Sequence, residues 1–190
     1  MGGWWGIAFV VLLFSSAAMA SLPTAADSDT AIAAFYRSHT TIVVLQQAIG
    51  ALALVAFVIF ALALNPNRWL MPVVYAFVAV ELLTNIIPLV AIGVQGEWRQ
   101  LTVAEDFADA VLFITAAAFA VVATLDEPLW LRLIAYLVTA ACVLRAVLGF
   151  SGATSLDLVA PLTLIAFVLV LSIRLLVRPA SVIGEQTAAR

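Results

Sequence analysis

Six runs of about 20 apolar residues, separated only by short polar turns, decide what this chain can fold into. A helix of about 20 apolar residues spans the hydrocarbon core of a bilayer. Hydrophobic residues make up 66% of the 190 residues and charged ones only 10%, whereas a soluble domain has about 25% charged residues. A soluble core of this size cannot hide that much apolar surface. We therefore predict an all-α, polytopic transmembrane helical bundle, and the composition excludes a soluble enzyme.

The predicted organisation is a single transmembrane domain over residues 1–180 and a cytoplasmic tail over residues 181–190. The six spans are predicted at about 3–22, 40–64, 69–94, 103–125, 128–149 and 155–177. A short helix is predicted at about 28–38, where Ile32, Phe35 and Tyr36 share one face. We expect this helix to lie on the outer membrane surface.

The distribution of arginine predicts the orientation, because basic residues are enriched on the cytoplasmic side of membrane proteins. With both termini cytoplasmic, five arginines lie at or near the inside, namely Arg68, Arg132, Arg174, Arg178 and Arg190. Arg37 and Arg99 then lie outside. A lysine-free chain rich in alanine, valine and arginine is typical of a GC-rich bacterial gene. The predicted location is thus a bacterial plasma membrane.

The ends of two predicted spans carry sequence signals. Ala18-Met19-Ala20 resembles a signal-peptidase site, but no basic residue precedes the first apolar run, and we expect the first span to be retained. Thr102 to Glu105 match a capping box that would open the fourth span. Glu105, Asp106 and Asp109 would then place negative charge near the positive end of that helix.

Missing residue types exclude several chemistries. The absence of lysine excludes Schiff-base catalysis and a P-loop. One cysteine, Cys142, and one histidine, His39, exclude CxxC chemistry, bis-histidine haem ligation and histidine-rich zinc sites. The net charge of -3 gives no basic surface for nucleic acid. We expect no cofactor, no metal and no nucleic-acid partner.

The third predicted span carries polar residues where a bilayer disfavours them. Glu81, Thr84, Asn85 and Pro88 are spaced so that all four fall on one helical face. Glu81 follows Trp69 by 12 residues, which is about 18 Å at 1.5 Å per residue and near mid-membrane. Pro88 removes a backbone hydrogen bond and predicts a kink. The span therefore places the Glu81 carboxyl, the Asn85 amide and the backbone carbonyl that Pro88 leaves without a donor close together.

A basic residue at matching depth suggests an ion pair. Arg145 follows Trp130 by 15 residues, or about 22 Å, so its depth falls between those of Glu81 and Asn85. We predict an Arg145–Glu81 pair, with Asp109 as the competing partner. Such a pair either binds a ligand or simply fixes the packing of the helices.

Two further spans contribute polar groups at similar depth. Gln46 and Gln47 lie in the outer half of the second span. The alternative to ligand binding by these two residues is hydrogen bonding between helices. Asp157 and Pro161 predict a polar, kinked outer end of the sixth span. Together these residues predict a polar pocket that opens outward.

The chain resembles small multi-pass actinobacterial membrane proteins of unknown function. The residues that carry this resemblance are Phe35 to His39, Gln46-Gln47 and Glu81 to Asn85. The resemblance implies membrane residence and no particular activity.

The leading functional hypothesis is non-enzymatic binding or transport of a small molecule, a lipid or an ion through the pocket. Its candidate ligand-binding residues are Glu81, Asn85, Arg145, Gln46, Gln47, Thr84 and Asp109. The alternative is an accessory or scaffolding subunit that meets another membrane protein, with the same residues purely structural. An enzymatic function is disfavoured, because Glu81 alone cannot provide a catalytic mechanism.

Overall fold

The fold is all-helical, as predicted. The computed structural model describes residues 2–64, 67–94, 97–150, 156 and 158–177, and within them it has seven helices and no strand. The helices are α1 (Gly2–Ala17), α2 (Asp29–Ser38), α3 (Thr40–Leu62), α4 (Leu70–Gly93), α5 (Trp98–Val122), α6 (Leu129–Phe150) and α7 (Val159–Val177).

The six longer helices form a closed ring. Each packs against its neighbours in chain order, α1 against α3 and onward to α6 against α7, and α7 returns to pack against α1. Successive helices of the ring run antiparallel, so the ring has two ends. The Gly2 end holds the first residues of α1, α4 and α6, and there Asn67 Nδ2 donates to the Val122 carbonyl at 2.8 Å. The Thr40 end holds the first residues of α3, α5 and α7.

Four of these helices, α3, α4, α6 and α7, are long and apolar enough to cross a membrane. Helix α1 is apolar but has 16 residues. Helix α5 has 25 residues but carries Arg99, Glu105, Asp106 and Asp109 in its first half. The structure thus supports a membrane-embedded bundle, and the count of six spans stays a prediction.

The predicted capping box at Thr102 is wrong. Helix α5 begins at Trp98, whose indole Nε1 donates to the Ala91 carbonyl at 2.8 Å and so anchors the helix start to the end of α4. Thr102 is fully buried, and its Oγ1 donates to the Trp98 carbonyl at 2.9 Å within the helix. The acidic residues Glu105 and Asp109 therefore lie about two to three turns inside α5, not at its positive end.

Helix α2 packs against the Thr40 end of the ring, and its predicted position on the outer membrane surface stays a prediction. Its N-cap is Ser28, whose Oγ accepts a hydrogen bond from the Ala31 amide at 3.3 Å. Ile32 and Tyr36 are buried and cluster with Ala91 and Trp98 at the ends of α4 and α5. Protein side chains therefore cover the apolar face of α2. This burial, together with the negative charge of Glu105, raises the pKa of Tyr36 to about 12.

Phenylalanine rings fill the centre of the ring in its Gly2 half. The ring of Phe57 lies 4.8 to 5.0 Å from those of Phe9, Phe77 and Phe119, and 6.4 Å from that of Phe60. All five side chains are buried. This aromatic cluster closes the interior toward the Gly2 end.

The two prolines that predict kinks lie at different places in their helices. Pro88 lies inside α4 and is buried, where a proline removes one helical hydrogen bond. Pro161 is the third residue of α7, in the first turn, where a proline is well tolerated. Both kinks stay predictions, and Asp157 lies outside the described residues.

Candidate functional site

A polar cavity of about 250 Å³ lies inside the Thr40 half of the ring. Four helices and the segment after α1 form its walls. Its lining residues are Leu13, Ser16, Ala17, Leu22, Gln46, Gln47, Gly50, Glu81, Thr84, Asn85, Glu105, Asp109 and Leu112. Two glutamates, one aspartate and three amide side chains thus face one space.

Helical periodicity brings these polar side chains together. Residues one turn apart share a face, so Glu81 and Asn85 on α4 face the cavity together, as do Glu105 and Asp109 on α5. On α3, Gln46 and Gly50 are related in the same way. A Cβ at position 50 would lie 2.5 Å from Asn85 Oδ1, so any larger residue there would displace the Asn85 amide.

The amide of Asn85 holds Glu81 in place. Asn85 Nδ2 donates to the Glu81 backbone carbonyl at 2.6 Å and to its carboxylate Oε1 at 3.4 Å. Thr84 Oγ1 also donates to the Glu81 carbonyl, at 2.9 Å. The Glu81 carboxylate itself thus receives one long hydrogen bond, from Asn85, and lies at the cavity wall.

An apolar cavity of about 340 Å³ adjoins the polar one. The two share five lining residues, Leu13, Ala17, Glu81, Asp109 and Leu112. The apolar cavity extends between the Thr40-end halves of α1 and α7 and is otherwise lined almost entirely by hydrocarbon side chains. Phe14 and Leu162 at its edge are 46% and 49% exposed, so this cavity reaches the lateral surface of the ring.

The ion pair of Arg145 is made with Asp109 and not with Glu81. Arg145 Nη2 donates to Asp109 Oδ2 at 2.9 Å, and the guanidinium lies 5.3 Å from the centre of the Phe113 ring. Helix α6 packs against α5 and α7. Asp109 on α5 is therefore closer to Arg145 than Glu81 on α4 is. Arg145 lies behind Asp109 and is not among the described lining residues of either cavity.

Gln46 places a hydrogen-bond acceptor without a donor at the polar cavity. Its Nε2 donates to the Ala20 carbonyl at 3.2 Å, and its backbone carbonyl accepts from Ser16 Oγ at 3.0 Å. Its Oε1 is buried and has no hydrogen-bond partner in the described part of the chain. A buried carbonyl oxygen without a donor costs about 1–3 kcal/mol, which a bound donor would recover.

The connection between α1 and α2 lies over this end of the bundle. The Ala25 amide donates to Asp106 Oδ2 at 2.8 Å, and Arg99 Nη1 donates to Asp29 Oδ1 at 2.9 Å. Leu22 from this connection lines the polar cavity. The polar site is thus covered by a segment attached to α5.

Six of the seven predicted ligand-binding residues line the polar cavity, and Arg145 adjoins it through Asp109. Sequence reasoning missed Glu105, because the acidic cluster was assigned to the helix start. Its spacing of four residues from Asp109 was the signal that both carboxylates share a face.

The other polar groups in the described part of the chain form no comparable site. Cys142 is buried, and His39 bonds Ser38 and stacks on Phe35. At the Gly2 end Arg174 pairs with Glu127. Across the described ranges no group of three or more His, Cys, Asp or Glu side chains is arranged to hold a metal ion.

Comparison with protein families, with curated proteins and with solved structures finds no match to this chain. The geometry of the two cavities is therefore the guide to what this chain does.

Proposed function

We propose that the chain spans a bacterial plasma membrane six times with both termini cytoplasmic, so that the Thr40 end faces outward. Arg68, Arg132 and Arg174 belong to the Gly2 end, whereas Arg37 and Arg99 belong to the Thr40 end. This charge bias supports a cytoplasmic Gly2 end.

Cysteine labelling tests this orientation. Ser28, before α2, and Asp126, in the turn between α5 and α6, are exposed at opposite ends of the ring. In a Cys142→Ala background, we expect an impermeant maleimide added to intact cells to label Ser28→Cys, and to label Asp126→Cys only after permeabilisation. The reverse pattern contradicts the proposed orientation.

Within that topology, we propose that the protein binds a small amphiphilic molecule and is not an enzyme. The observation that carries this proposal is the wall shared by a polar and an apolar cavity, because a molecule with a polar head and an apolar tail needs both. The two volumes, about 250 and 340 Å³, lie on either side of the lower limit of the roughly 300–1,000 Å³ range of small-molecule sites. Binding is favoured over passage through the protein because the buried phenylalanine cluster closes the interior below the cavities.

Filling the shared wall tests the proposal. Ala17 lines both cavities and is exposed, so a larger side chain there occupies ligand space without disturbing the buried core. Native mass spectrometry of the gently released wild-type protein should detect an extra mass of small-molecule or lipid size, and Ala17→Phe should reduce its occupancy at least tenfold. The matched control is Ala18→Phe, an exposed neighbour that lines neither cavity.

Two results would contradict this proposal. An extra mass that survives Ala17→Phe would mean that the molecule binds elsewhere. A bare wild-type protein that copurifies with another membrane protein at fixed ratio would instead favour the accessory-subunit alternative.

A further inference from the structure

We infer that the bound molecule is a protonated amine with an apolar tail, its ammonium group in the polar cavity and its tail in the apolar one. This inference rests on the proposed amphiphile site and specifies the chemistry of its ligand.

The charge of the lining selects a cation. Glu81, Glu105 and Asp109 line the polar cavity, and no described lining residue of either cavity is basic. Arg145 already pairs with Asp109. Glu81 and Glu105 have no basic side chain within ion-pair distance in the described residues, so an incoming ammonium would supply the counter-ion that their ionised form lacks. A phosphate or carboxylate head would instead meet three carboxylates.

The hydrogen-bonding pattern favours an ammonium with N–H groups over a quaternary one. The buried Oε1 of Gln46 lacks a donor, and the carboxylates of Glu81 and Glu105 accept but cannot donate when ionised. A primary ammonium carries three donors and can serve the amide oxygen and a carboxylate at once. A quaternary ammonium has the charge but would leave Gln46 Oε1 unsatisfied.

The surroundings favour an organic cation over a bare metal ion. The carboxylates do not converge within the described residues into a group that could hold a metal. The apolar cavity beside them is lined by Phe9, Phe77 and Phe113, which offer apolar contact to a tail. Its lateral edge between α1 and α7 provides a route from the lipid phase for a membrane-dissolved amine.

Four probes that share a ten-carbon chain but differ in head group test this inference. The wild-type protein in phosphatidylcholine nanodiscs is titrated at pH 7 with decylamine, decyltrimethylammonium, decanol or decanoate, and binding to empty nanodiscs is subtracted. We expect decylamine to bind at least tenfold more tightly than decanol, decyltrimethylammonium to fall between them, and decanoate to bind most weakly. Ala17→Phe should abolish the protein-specific part of binding.

Variants separate the contributions of charge and hydrogen bonding. Glu81→Gln should lower decylamine affinity at least tenfold while decanol affinity is unchanged, and Glu105→Gln provides a second test if Glu81→Gln does not fold. Glu97→Gln is the matched control, because Glu97 is exposed and lines neither cavity. Gln46→Met should reduce the preference for decylamine over decyltrimethylammonium.

The outcomes distinguish a failure of the amine inference from a failure of the proposed amphiphile site. If decanol or decanoate binds as tightly as decylamine and Ala17→Phe abolishes that binding, the amphiphile site stands and the amine inference is overturned. If no probe shows binding that depends on Ala17, both fail.

Discussion

Replacing Gly6 with leucine should lower the free energy of unfolding by about 3 kcal/mol, at the upper end of the roughly 1–3 kcal/mol range for overpacked cores. A Cβ at this position would lie 2.7 and 2.9 Å from two ring carbons of Phe60 and would collide with Ser172 Oγ. Phe60 and Ser172 are fully buried, so neither side chain has space to move aside. The close contact of α1 with α3 and α7 therefore depends on a residue without a side chain.

Unfolding by a denaturing detergent, followed through tryptophan fluorescence, measures this effect. Gly93→Leu is the matched control, because a Cβ at Gly93 meets no atom within 4 Å. Equal unfolding midpoints for the two variants would contradict the described packing of α1.

Replacing Arg145 with leucine should cost about 2–3 kcal/mol of stability. Removing one partner of a fully buried ion pair costs about 3–5 kcal/mol, because the other charge is left without compensation. We expect a smaller loss of stability than for a fully buried pair, because the Asp109 side chain is 31% exposed, against 13% for Arg145. The same unfolding assay measures the change.

A double-mutant cycle identifies the partner of Arg145. Arg145→Leu combined with Asp109→Leu should recover much of the stability that Arg145→Leu loses, since neither charge of this pair then remains. Arg145→Leu combined with Glu81→Leu should show a clearly smaller coupling energy. Stronger coupling to Glu81 than to Asp109 would contradict the described ion pair.

The difference between the predicted and the observed partner of Arg145 has a geometric reason. Counting residues from Trp69 and Trp130 estimates depth along the membrane normal, and all the predicted site residues except Arg145 do line a common cavity. Depth contains no information about which helices are neighbours. In the ring, α6 packs against α5 and α7, so Asp109 is within reach of Arg145.

The positions of polar residues on each helix could be predicted more fully than the helix ends. The spacing of Glu81, Thr84 and Asn85 was sufficient to place all three on one face of α4. The start of α5 was predicted too late because Thr102 to Glu105 match a local capping pattern. The tertiary contact of Trp98 with Ala91 extends the helix beyond that pattern, and it thereby places Glu105 inside the bundle.

The closure of the ring between α1 and α7 affects how this protein can assemble. Gly6 and Ser172 touch although 166 residues separate them in sequence, and this seam also borders the apolar cavity. Such a contact forms only after the intervening chain has been synthesised, and its closure entropy must be overcome late in folding. The contact of α1 with α7, and with it the wall of the apolar cavity between these two helices, can therefore form only after α7 has been synthesised.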